Sequence, residues 1–309
     1  MGESSAIDRR ALGAAIITVL LWASAFVVIR DAGPFFAPGA FAEGRLLVAV
    51  IPLLALSLFR REGLPPRQAW PGIIISGVLW FGIYMVALNW GERMVDAGTA
   101  ALVVNIGPIL MALLGGWLLK EGFPPRLMIG MAVSFAGAIV VGLSASGGNH
   151  ASLPGILLCL LAAVTYAAGV VGQKPALKHG SALQIITYGC VVGAVVTLPF
   201  SGQLVHDLGT APTGAILGVV YLGLFPTALA FYTWAFALSK TTAGRMGTTT
   251  YVVPALVVLL SWIFLDEVPR PLAFVGGALC LAGVAVSRTR PRTDRSHSFG
   301  LTPARSTRK

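Results

Sequence analysis

The sequence predicts an all-α membrane protein with ten transmembrane helices, arranged as two inverted five-helix repeats. Three observations lead to this prediction: an apolar composition, an internal repeat, and an alternation of basic residues between successive loops. Of the 309 residues, 56% are hydrophobic and only 11% are charged. In soluble proteins, about a quarter of the residues are typically charged. The composition therefore indicates a chain that lies in a lipid bilayer.

Ten apolar runs follow one another along the chain, each about long enough to cross the hydrocarbon core as a helix. The runs of the first half are 11–29, 39–59, 70–90, 98–119 and 127–144. Those of the second half are 153–172, 183–200, 213–238, 247–265 and 272–287. We therefore predict a first repeat at 1–145, a link at 146–152, a second repeat at 153–287 and a disordered basic tail at 288–309.

An internal repeat supports the division into halves. Residues 97–140 reappear as residues 243–286, without a gap and with a shift of 146 residues. The identical positions include residues that commonly break helices or allow helices to approach closely. They are Gly98 and Gly244, Pro108 and Pro254, Glu121 and Glu267, Gly130 and Gly276, and Gly137 and Gly283. A repeat of this length indicates a duplicated architecture.

The basic residues predict the orientation, because Lys and Arg are enriched in cytoplasmic loops. With the N-terminus inside, most of the 22 basic residues fall in the tail and the inside loops. The outside loops then contain only Arg30, Arg93 and Arg270. Both termini are therefore predicted to be cytoplasmic. Since each repeat has an odd number of spans, the second repeat enters the membrane from the opposite side and is inverted.

The composition also argues against several other kinds of site. The basic residues are scattered among loops and a tail rather than gathered on one folded face, so no nucleic-acid partner is predicted. Cys159, Cys190 and Cys280 each fall inside an apolar run, with no disulfide or metal-binding spacing. The histidines all lie in predicted loops or in the tail. We expect no cofactor and no metal site.

Two prolines near the middle of equivalent runs predict helix kinks. Pro108 and Pro254 each remove one backbone hydrogen bond from their helix. Asn105 and Tyr251 stand three residues earlier, on roughly the same face as each proline. They could line a cavity from opposite sides of the pseudo-two-fold axis. Alternatively, they satisfy the freed carbonyl groups or pack in a helix contact.

Two strongly charged side chains fall well inside a span, Glu43 and Arg45. They are two residues apart on one helix and therefore face different ways, so they are not expected to pair with each other. Arg45 either extends toward the outer interface or binds a carboxylate or phosphate of a substrate. Glu43 is a candidate for proton coupling, although intramembrane acids are also found as structural partners.

Polar and aromatic side chains elsewhere in the spans are further candidates for the wall of a substrate cavity. They are Trp22, Tyr84, Asn89, Tyr166, Tyr232 and Trp234. Aromatic residues in membrane spans also form interface belts or simply pack against neighbouring helices. Those near the centre of a span, such as Tyr84 and Tyr232, are better candidates than those at its ends.

Several motifs, in this order, resemble the drug/metabolite transporter superfamily, specifically its bacterial members with two EamA domains. They are residues 22–26 with Arg30, 41–45, 97–121, 166–174, 250–254 and 265–267, followed by the helix from Gly276 to Gly283. The resemblance implies a bacterial inner-membrane carrier, usually an exporter of amino acids, other metabolites or toxic compounds. It also implies a central cavity enclosed by the first four spans of each half. Glu43 occupies a position at which the family usually has an uncharged residue.

The predicted function is therefore secondary transport of a small molecule by alternating access. A membrane channel or a non-transporting scaffold is the alternative, and a membrane-embedded enzyme is less favoured. The sequence contains no phosphate-binding glycine loop, no metalloprotease motif and no catalytic Ser/His/Asp set at membrane depth. It also contains no nucleotide-binding domain, so an ion gradient, an exchange or the substrate gradient would drive transport.

The predicted topology can be tested by cysteine labelling of intact cells. Cysteines introduced at Asn149 and near Asp207 are expected to react with an impermeant thiol reagent from outside, because both positions follow spans that run outward. Cysteines near Leu64 and in the tail are expected to react only after the membrane is opened. The opposite labelling pattern would contradict the inverted arrangement.

Overall fold

The computed structural model describes residues 9–95, 100, 103–145, 152–265 and 271–288, and all the elements assigned in them are helices. In the first half these are α1 (Arg9–Ala32), α2 (Pro38–Phe59), α3 (Trp70–Ser76), α4 (Met85–Gly91), α5 (Gly107–Leu118) and α6 (Pro125–Ala145). In the second half they are α7 (Leu153–Ala176), α8 (Ala182–Thr197), α9 (Ser201–Thr210), α10 (Thr213–Leu222), α11 (Ala230–Ser239), α12 (Ala243–Thr249), α13 (Val252–Leu265) and α14 (Pro271–Arg288). The tail beyond Arg288, the link before Ser152 and the corner that contains Glu267 lie outside the described residues.

The described helices are those of an integral membrane protein. Seven helical segments are long and apolar enough to cross a bilayer. Two shorter apolar helices, Gly107–Leu118 and Phe274–Ser287, accompany them. Their lipid-facing surfaces carry large apolar side chains, such as Ile51, which is 70% exposed, and Trp117, which is 74% exposed.

Helices α6 and α14, the last of each half, cross in antiparallel directions through small residues. Gly130 packs against the backbone of Gly283, and Gly137 packs against the backbone of Gly276. Between these contacts, Ser134 Oγ donates to the Cys280 carbonyl at 3.1 Å, and Cys280 Sγ donates to the Ser134 carbonyl at 3.5 Å. Ser134 and Cys280 are 146 residues apart, the shift of the sequence repeat. A pseudo-two-fold axis therefore passes between them, perpendicular to both helices.

The two halves also share a local distortion that the sequence did not predict. A π-helical segment at Gly77–Tyr84 joins α3 to α4, and another at Gly223–Leu229 joins α10 to α11. Their first residues are again related by the repeat shift. Such segments are rare and frequently occur at functional sites, because the wider turn redirects side chains. Here they direct Trp80 and Thr227 into the protein interior.

The predicted kinks at Pro108 and Pro254 are interruptions of the helix. The α-helical hydrogen-bond pattern is interrupted at residues 105–106 and again at residues 250–251, just before each proline. The Thr250 carbonyl, which loses its usual donor at Pro254, accepts the Val253 N–H at 2.9 Å. A tighter turn therefore satisfies the group that the proline leaves free. Helix α12, which precedes the second break, begins at Ala243 rather than at the predicted Gly247.

One predicted loop is a helix. The residues after the seventh apolar run form α9, which buries Leu204 and exposes Val205 and His206. The expectation that every histidine lies in a loop or the tail is therefore wrong for His206. This helix is short and amphipathic, so an analysis based on long apolar runs does not detect it.

The antiparallel crossing can be tested by adding one methyl group. A Cβ at Gly137 would lie 2.5 Å from the backbone nitrogen of Cys280, which cannot move without shifting α14. We expect Gly137→Ala to lower the free energy of unfolding by about 1–3 kcal/mol, measured by thermal unfolding of the purified protein. Gly13→Ala in α1 is the matched control, because its Cβ would meet nothing within 4 Å. Equal stability of both variants would contradict the close crossing.

Candidate functional site

An aromatic cluster fills the centre of the molecule and is built by both halves. Trp22 of α1 lies 4.9 Å from Trp234 of α11 and 6.3 Å from Trp80 of the first π-helical segment, measured between ring centroids. Phe231 lies 4.8 Å from Trp80 and stacks on Phe81 at the same distance. Trp80, Phe81 and Trp234 are at most 1% exposed. Of the predicted cavity residues, Trp22 and Trp234 thus contact each other directly.

Two tyrosines extend this cluster toward the predicted outer end of the bundle. The Tyr166 ring lies 5.8 Å from Trp80 and 5.5 Å from Tyr84. Tyr84 ends the first π-helical segment, which positions its ring against α7. The predicted positions Trp22, Tyr84, Tyr166 and Trp234 therefore belong to one continuous aromatic surface.

Arg45 lies beside Tyr84 and is buried. Its side chain is 8% exposed, so it does not extend toward the outer surface as one of the two sequence interpretations expected. Its Nη2 donates to Thr227 Oγ1 at 3.4 Å, a long contact with the second π-helical segment. Its Nε has no hydrogen-bond partner among the described residues. A buried guanidinium with an unused donor is a candidate anion-binding group.

A second carboxylate, Glu92, follows the end of α4 and interacts electrostatically with Arg45. Glu92 is half-buried and close enough to Arg45 and Tyr84 for electrostatic interaction. Burial raises the pKa of the Glu92 carboxyl from 4.5 to about 7, although the positive charge of Arg45 opposes the rise. Of the two groups that interact electrostatically with Arg45, Tyr84 and Glu92, Glu92 is therefore the one whose pKa lies near neutral pH. Glu92 lies just beyond the third apolar run, so the sequence did not single it out.

Glu43 turns away from Arg45, as the spacing of the two residues predicts. It is fully buried, and its Oε1 accepts a hydrogen bond from Ser201 Oγ at 2.6 Å. Its Oε2 has no hydrogen-bond partner among the described residues. Glu43 therefore links α2 to the start of α9, whereas Arg45 donates to Thr227 of the second π-helical segment. Proton coupling through Glu43 stays a prediction.

Asn105 and Tyr251 meet each other at the two helix breaks. Tyr251 is fully buried, and its hydroxyl donates to the Asn105 backbone carbonyl at 2.9 Å. The two residues are 146 apart, so this contact also lies near the pseudo-two-fold axis. The contact joins the two interrupted helices, but the accepting carbonyl is that of Asn105 and not one freed by a proline. A role of Asn105 and Tyr251 in lining a cavity stays a prediction.

Two predicted cavity residues, Asn89 and Tyr232, make hydrogen bonds outside the aromatic cluster. Asn89 donates from Nδ2 to the Pro38 carbonyl at 3.1 Å and thereby joins α4 to the start of α2. Tyr232 packs against the cluster, but its hydroxyl lies 3.4 Å from Arg60 Nη1 at the predicted inner end. These contacts give both residues a structural partner.

An ion pair joins the two halves at the predicted inner end. Lys174 Nζ lies 2.7 Å from Glu121 Oε1, and both side chains are largely buried. The same ammonium group donates to the Thr241 carbonyl. Glu121 Oε2 accepts the Ala243 N–H at 2.8 Å, so this carboxylate also caps the N-terminus of α12. The two halves are therefore connected by one compact polar network at this end.

The structure also contains a cavity away from the aromatic cluster and from Arg45. A cavity of about 420 Å³ lies between α3, α5 and α7 and is lined mainly by apolar residues such as Ile75, Leu114 and Val171. None of the predicted site residues lines it. Within the part of the chain that the structure describes, no three His, Cys, Asp or Glu side chains form a group that could bind a metal ion.

Sequence reasoning missed several residues that the structure brings to the site. Trp80, Phe81 and Phe231 read as ordinary apolar positions, and only the π-helical segments and the helix packing direct them to the centre. Gln173 is fully buried, and neither of its amide atoms has a hydrogen-bond partner among the described residues. The signal available for Gln173 and Glu92 was their polarity near the end of a span. That signal is weak, because loop residues show it too.

The ion pair at the predicted inner end can be tested with two substitutions of one residue. Glu121→Gln removes the charge but retains an oxygen that can accept the Ala243 N–H, whereas Glu121→Ala removes both interactions. Because hydrogen bonds to charged groups contribute about 1.5–3 kcal/mol, we expect thermal stability to fall in the order wild type, Glu121→Gln, Glu121→Ala. Asp31→Asn, at an exposed carboxylate, is the control and should leave stability unchanged. Equal stability of all variants would contradict a structural role for the network.

Comparisons with known proteins agree with the fold. The sequence profile described as the EamA-like transporter family matches residues 9–143 and 153–289. A crystal structure of a protein that is 21% identical to this chain has a TM-score of 0.75, covering 90% of this chain and 96% of that one. At this identity the similarity shows the fold alone.

Three curated relatives are named as transporters. A probable terminal-alkyne amino-acid exporter of Streptantibioticus cattleyicolor is 34% identical over 281 residues, covering 91% of this chain and 94% of the relative. The uncharacterized transporter YdfC of Bacillus subtilis is 33% identical over 264 residues, covering 85% and 86%. A probable amino-acid metabolite efflux pump of Escherichia coli is 23% identical over 282 residues, covering 88% and 93%. The two profile matches and the two relatives above 30% identity assign the chain to the EamA-like transporter family.

Proposed function

We propose that this protein exports small α-amino acids, or closely related amino-acid metabolites, across a bacterial inner membrane by alternating access. The observation that carries the proposal is Arg45, a buried cation with an unused donor that interacts electrostatically with Tyr84, a member of the aromatic surface shared by both halves. A guanidinium is well suited to bind a carboxylate, and the aromatic surface suits an apolar side chain. The names of two relatives, which refer to amino-acid export, support the same substrate class.

The proposed architecture has ten membrane crossings, with domains at 1–145 and 153–287 and both termini cytoplasmic. The fourth and ninth crossings are the interrupted helices. Antiparallel packing of the last helix of each half supports the inverted arrangement, because equivalent helices of inverted repeats run in opposite directions. In this arrangement the halves rock about the pseudo-two-fold axis, and the substrate site lies between them.

Alternating access also requires contacts that close one end while the other end opens. The network of Glu121, Lys174 and Ala243 joins the two halves at the predicted inner end. Opening toward the cytoplasm would therefore break this network, and closing would restore it. A buried donor without a partner, Trp234 Nε1, lies in the aromatic cluster and is available to a substrate.

The function can be tested by counterflow with the protein in liposomes preloaded with unlabelled amino acids. A carrier concentrates the labelled amino acid transiently inside the vesicles, whereas a channel only equilibrates it. We expect Arg45→Gln to lower the counterflow rate at least about tenfold, because a hydrogen bond to a charged group is lost. Arg67→Gln, at an exposed arginine, is the matched control and should stay within about twofold of wild type.

Other results would overturn the proposal. Equilibration without transient accumulation would indicate a channel instead of a carrier. No movement of any amino acid by the wild-type protein would exclude the proposed substrate class. A normal rate for Arg45→Gln would place the carboxylate elsewhere in the protein.

A further inference from the structure

We propose that Gln173 forms an inner subsite, a second position for the amino acid that lies nearer the predicted inner end than Arg45 does. The substrate occupies it on entry from the cytoplasm, before it reaches Arg45. The Gln173 amide donates from Nε2 to the substrate carboxylate and accepts at Oε1 from the substrate ammonium group. The inference rests on the proposed function and adds to it a loading position and the groups recognised there.

The side chain of Gln173 is buried without a partner inside a membrane-spanning helix. It is fully buried in α7, and neither Nε2 nor Oε1 has a hydrogen-bond partner among the described residues. A buried polar group that is left unpaired destabilises the protein, and the hydrocarbon core supplies no water to relieve it. An apolar side chain of similar length would be more stable at this position. The amide therefore indicates a ligand that pairs with it during part of the transport cycle.

The face of α7 that carries Gln173 packs into the centre of the molecule. Tyr166 and Val170 belong to the hydrophobic cluster that contains the central aromatic rings, and Leu177 packs against it. Gln173 follows Tyr166 by seven residues and Val170 by three, so it lies on roughly the same face of the helix. At a rise of 1.5 Å per residue, it lies about 10 Å nearer the predicted inner end than Tyr166. The amide is thus placed between the aromatic cluster and the cytoplasmic side.

The residue next to Gln173 belongs to the network that joins the two halves at the predicted inner end. Lys174 Nζ lies 2.7 Å from Glu121 Oε1 and also donates to the Thr241 carbonyl. Because Lys174 and Glu121 balance each other's charge, Gln173 is a neutral hydrogen-bonding group beside an ion pair. In the proposed cycle, opening toward the cytoplasm breaks this network. The same movement would open the way from the cytoplasm to Gln173.

Gln173 and Arg45 are too far apart to bind one small amino acid at the same time. Arg45 lies seven residues after Pro38, where α2 begins at the predicted outer end, which is about 10 Å along the helix. Gln173 lies 20 residues after Leu153, where α7 begins at the same end, which is about 30 Å along the helix. The difference of about 20 Å exceeds the size of an α-amino acid. The two side chains therefore define separate positions on one route.

A neutral amide suits the first position on this route because it can bind both charged groups of an α-amino acid without adding a charge of its own. A carboxylate without an amine, or an amine without a carboxylate, would leave one end of the amide unpaired. Either compound would also bring an uncompensated charge into an apolar region. Arg45 binds the carboxylate more strongly, because its hydrogen bonds are charge-assisted from both sides. The inner subsite therefore selects the zwitterion, and Arg45 then retains it.

The inference can be tested with Gln173→Met, which keeps the length of the side chain and removes both amide groups. We expect the unfolding temperature of the purified protein to rise by about 2–4 °C, because an unpaired polar group is no longer buried. Counterflow of 2-aminopent-4-ynoate, a simple terminal-alkyne amino acid, should fall at least about tenfold, because hydrogen bonds to both charged groups are lost. A purely structural role of Gln173 predicts no such separation of stability from transport.

Thr187→Val is the matched control. Thr187 is also fully buried, and its hydroxyl has no hydrogen-bond partner among the described residues. It lies in α8, which contributes no residue to the network of Glu121, Lys174 and Ala243. Valine has nearly the same shape as threonine, so this variant should also be more stable than wild type. Its counterflow rate should remain that of wild type.

Occupancy of the inner subsite can be measured with Val170→Cys, which places a thiol one turn outward from Gln173 on the same face. In inside-out membrane vesicles, an impermeant thiol reagent should label this cysteine, and 2-aminopent-4-ynoate should slow the labelling. The slowing should persist when Arg45→Gln is added. With Gln173→Met added, at least about tenfold more amino acid should be needed. The native cysteines are buried, so the unsubstituted protein serves as the blank.

Several results would overturn the inference while leaving the proposed function intact. They are normal counterflow by Gln173→Met, a lower unfolding temperature of this variant, or an equal loss of counterflow in Thr187→Val. Failure of the cysteine at Val170 to react from the cytoplasmic side would have the same meaning. Equal slowing of its labelling by pent-4-ynoate, which lacks the amine, or by but-3-ynylamine, which lacks the carboxylate, would show that the zwitterion is not recognised. Failure of wild type to transport any amino acid would instead overturn the proposed function itself.

Discussion

The antiparallel crossing of α6 and α14 is the constraint on which the rest of the architecture depends. Small residues bring the two backbones into contact, and Ser134 and Cys280 exchange hydrogen bonds at the point where the halves meet. In a bilayer, helices associate through close packing and polar contacts rather than through the hydrophobic effect. A crossing of this kind therefore fixes the relation between the halves. Equivalent features, including the π-helical segments and the interrupted helices, are then placed on opposite sides of one axis.

Burial of Arg45 is the second constraint. A guanidinium in a membrane interior is energetically costly unless it has partners. Among the described residues, Arg45 has only Thr227 as a direct hydrogen-bond partner, at 3.4 Å. The nearby carboxylate of Glu92 reduces this cost electrostatically, but it does not form an ion pair with Arg45. An incompletely satisfied cation is unfavourable for stability alone, so its retention is better explained by binding of an anionic group.

Much of the fold could be predicted from the sequence, because the bilayer imposes long apolar helices. The duplication also repeats the glycine and proline positions at which these helices break or pack closely. The repeat shift of 146 residues reappears in the contacts of Ser134 with Cys280 and of Asn105 with Tyr251. The site was harder to predict. Trp22 and Trp234 could be singled out as aromatic residues, but the π-helical segments that bring Trp80 and Thr227 inward were not predicted. Both segments begin at a glycine and the second contains Pro226, yet such residues also occur within ordinary helix, as Pro52 does in α2. Helix α9 was missed because its amphipathic pattern is short.

The carboxylates of Glu43 and Glu92 show why position along a span is a poor guide to function. Glu43 lies deeper in the sequence of its span than Glu92 does, so a search for intramembrane acids selects Glu43. In three dimensions Glu43 accepts a hydrogen bond from Ser201, whereas Glu92 interacts electrostatically with Arg45 and Tyr84. A carboxylate couples a proton to a substrate only if the charge change is felt where the substrate binds. Depth within a span therefore does not by itself identify the carboxylate that acts on a substrate bound at Arg45.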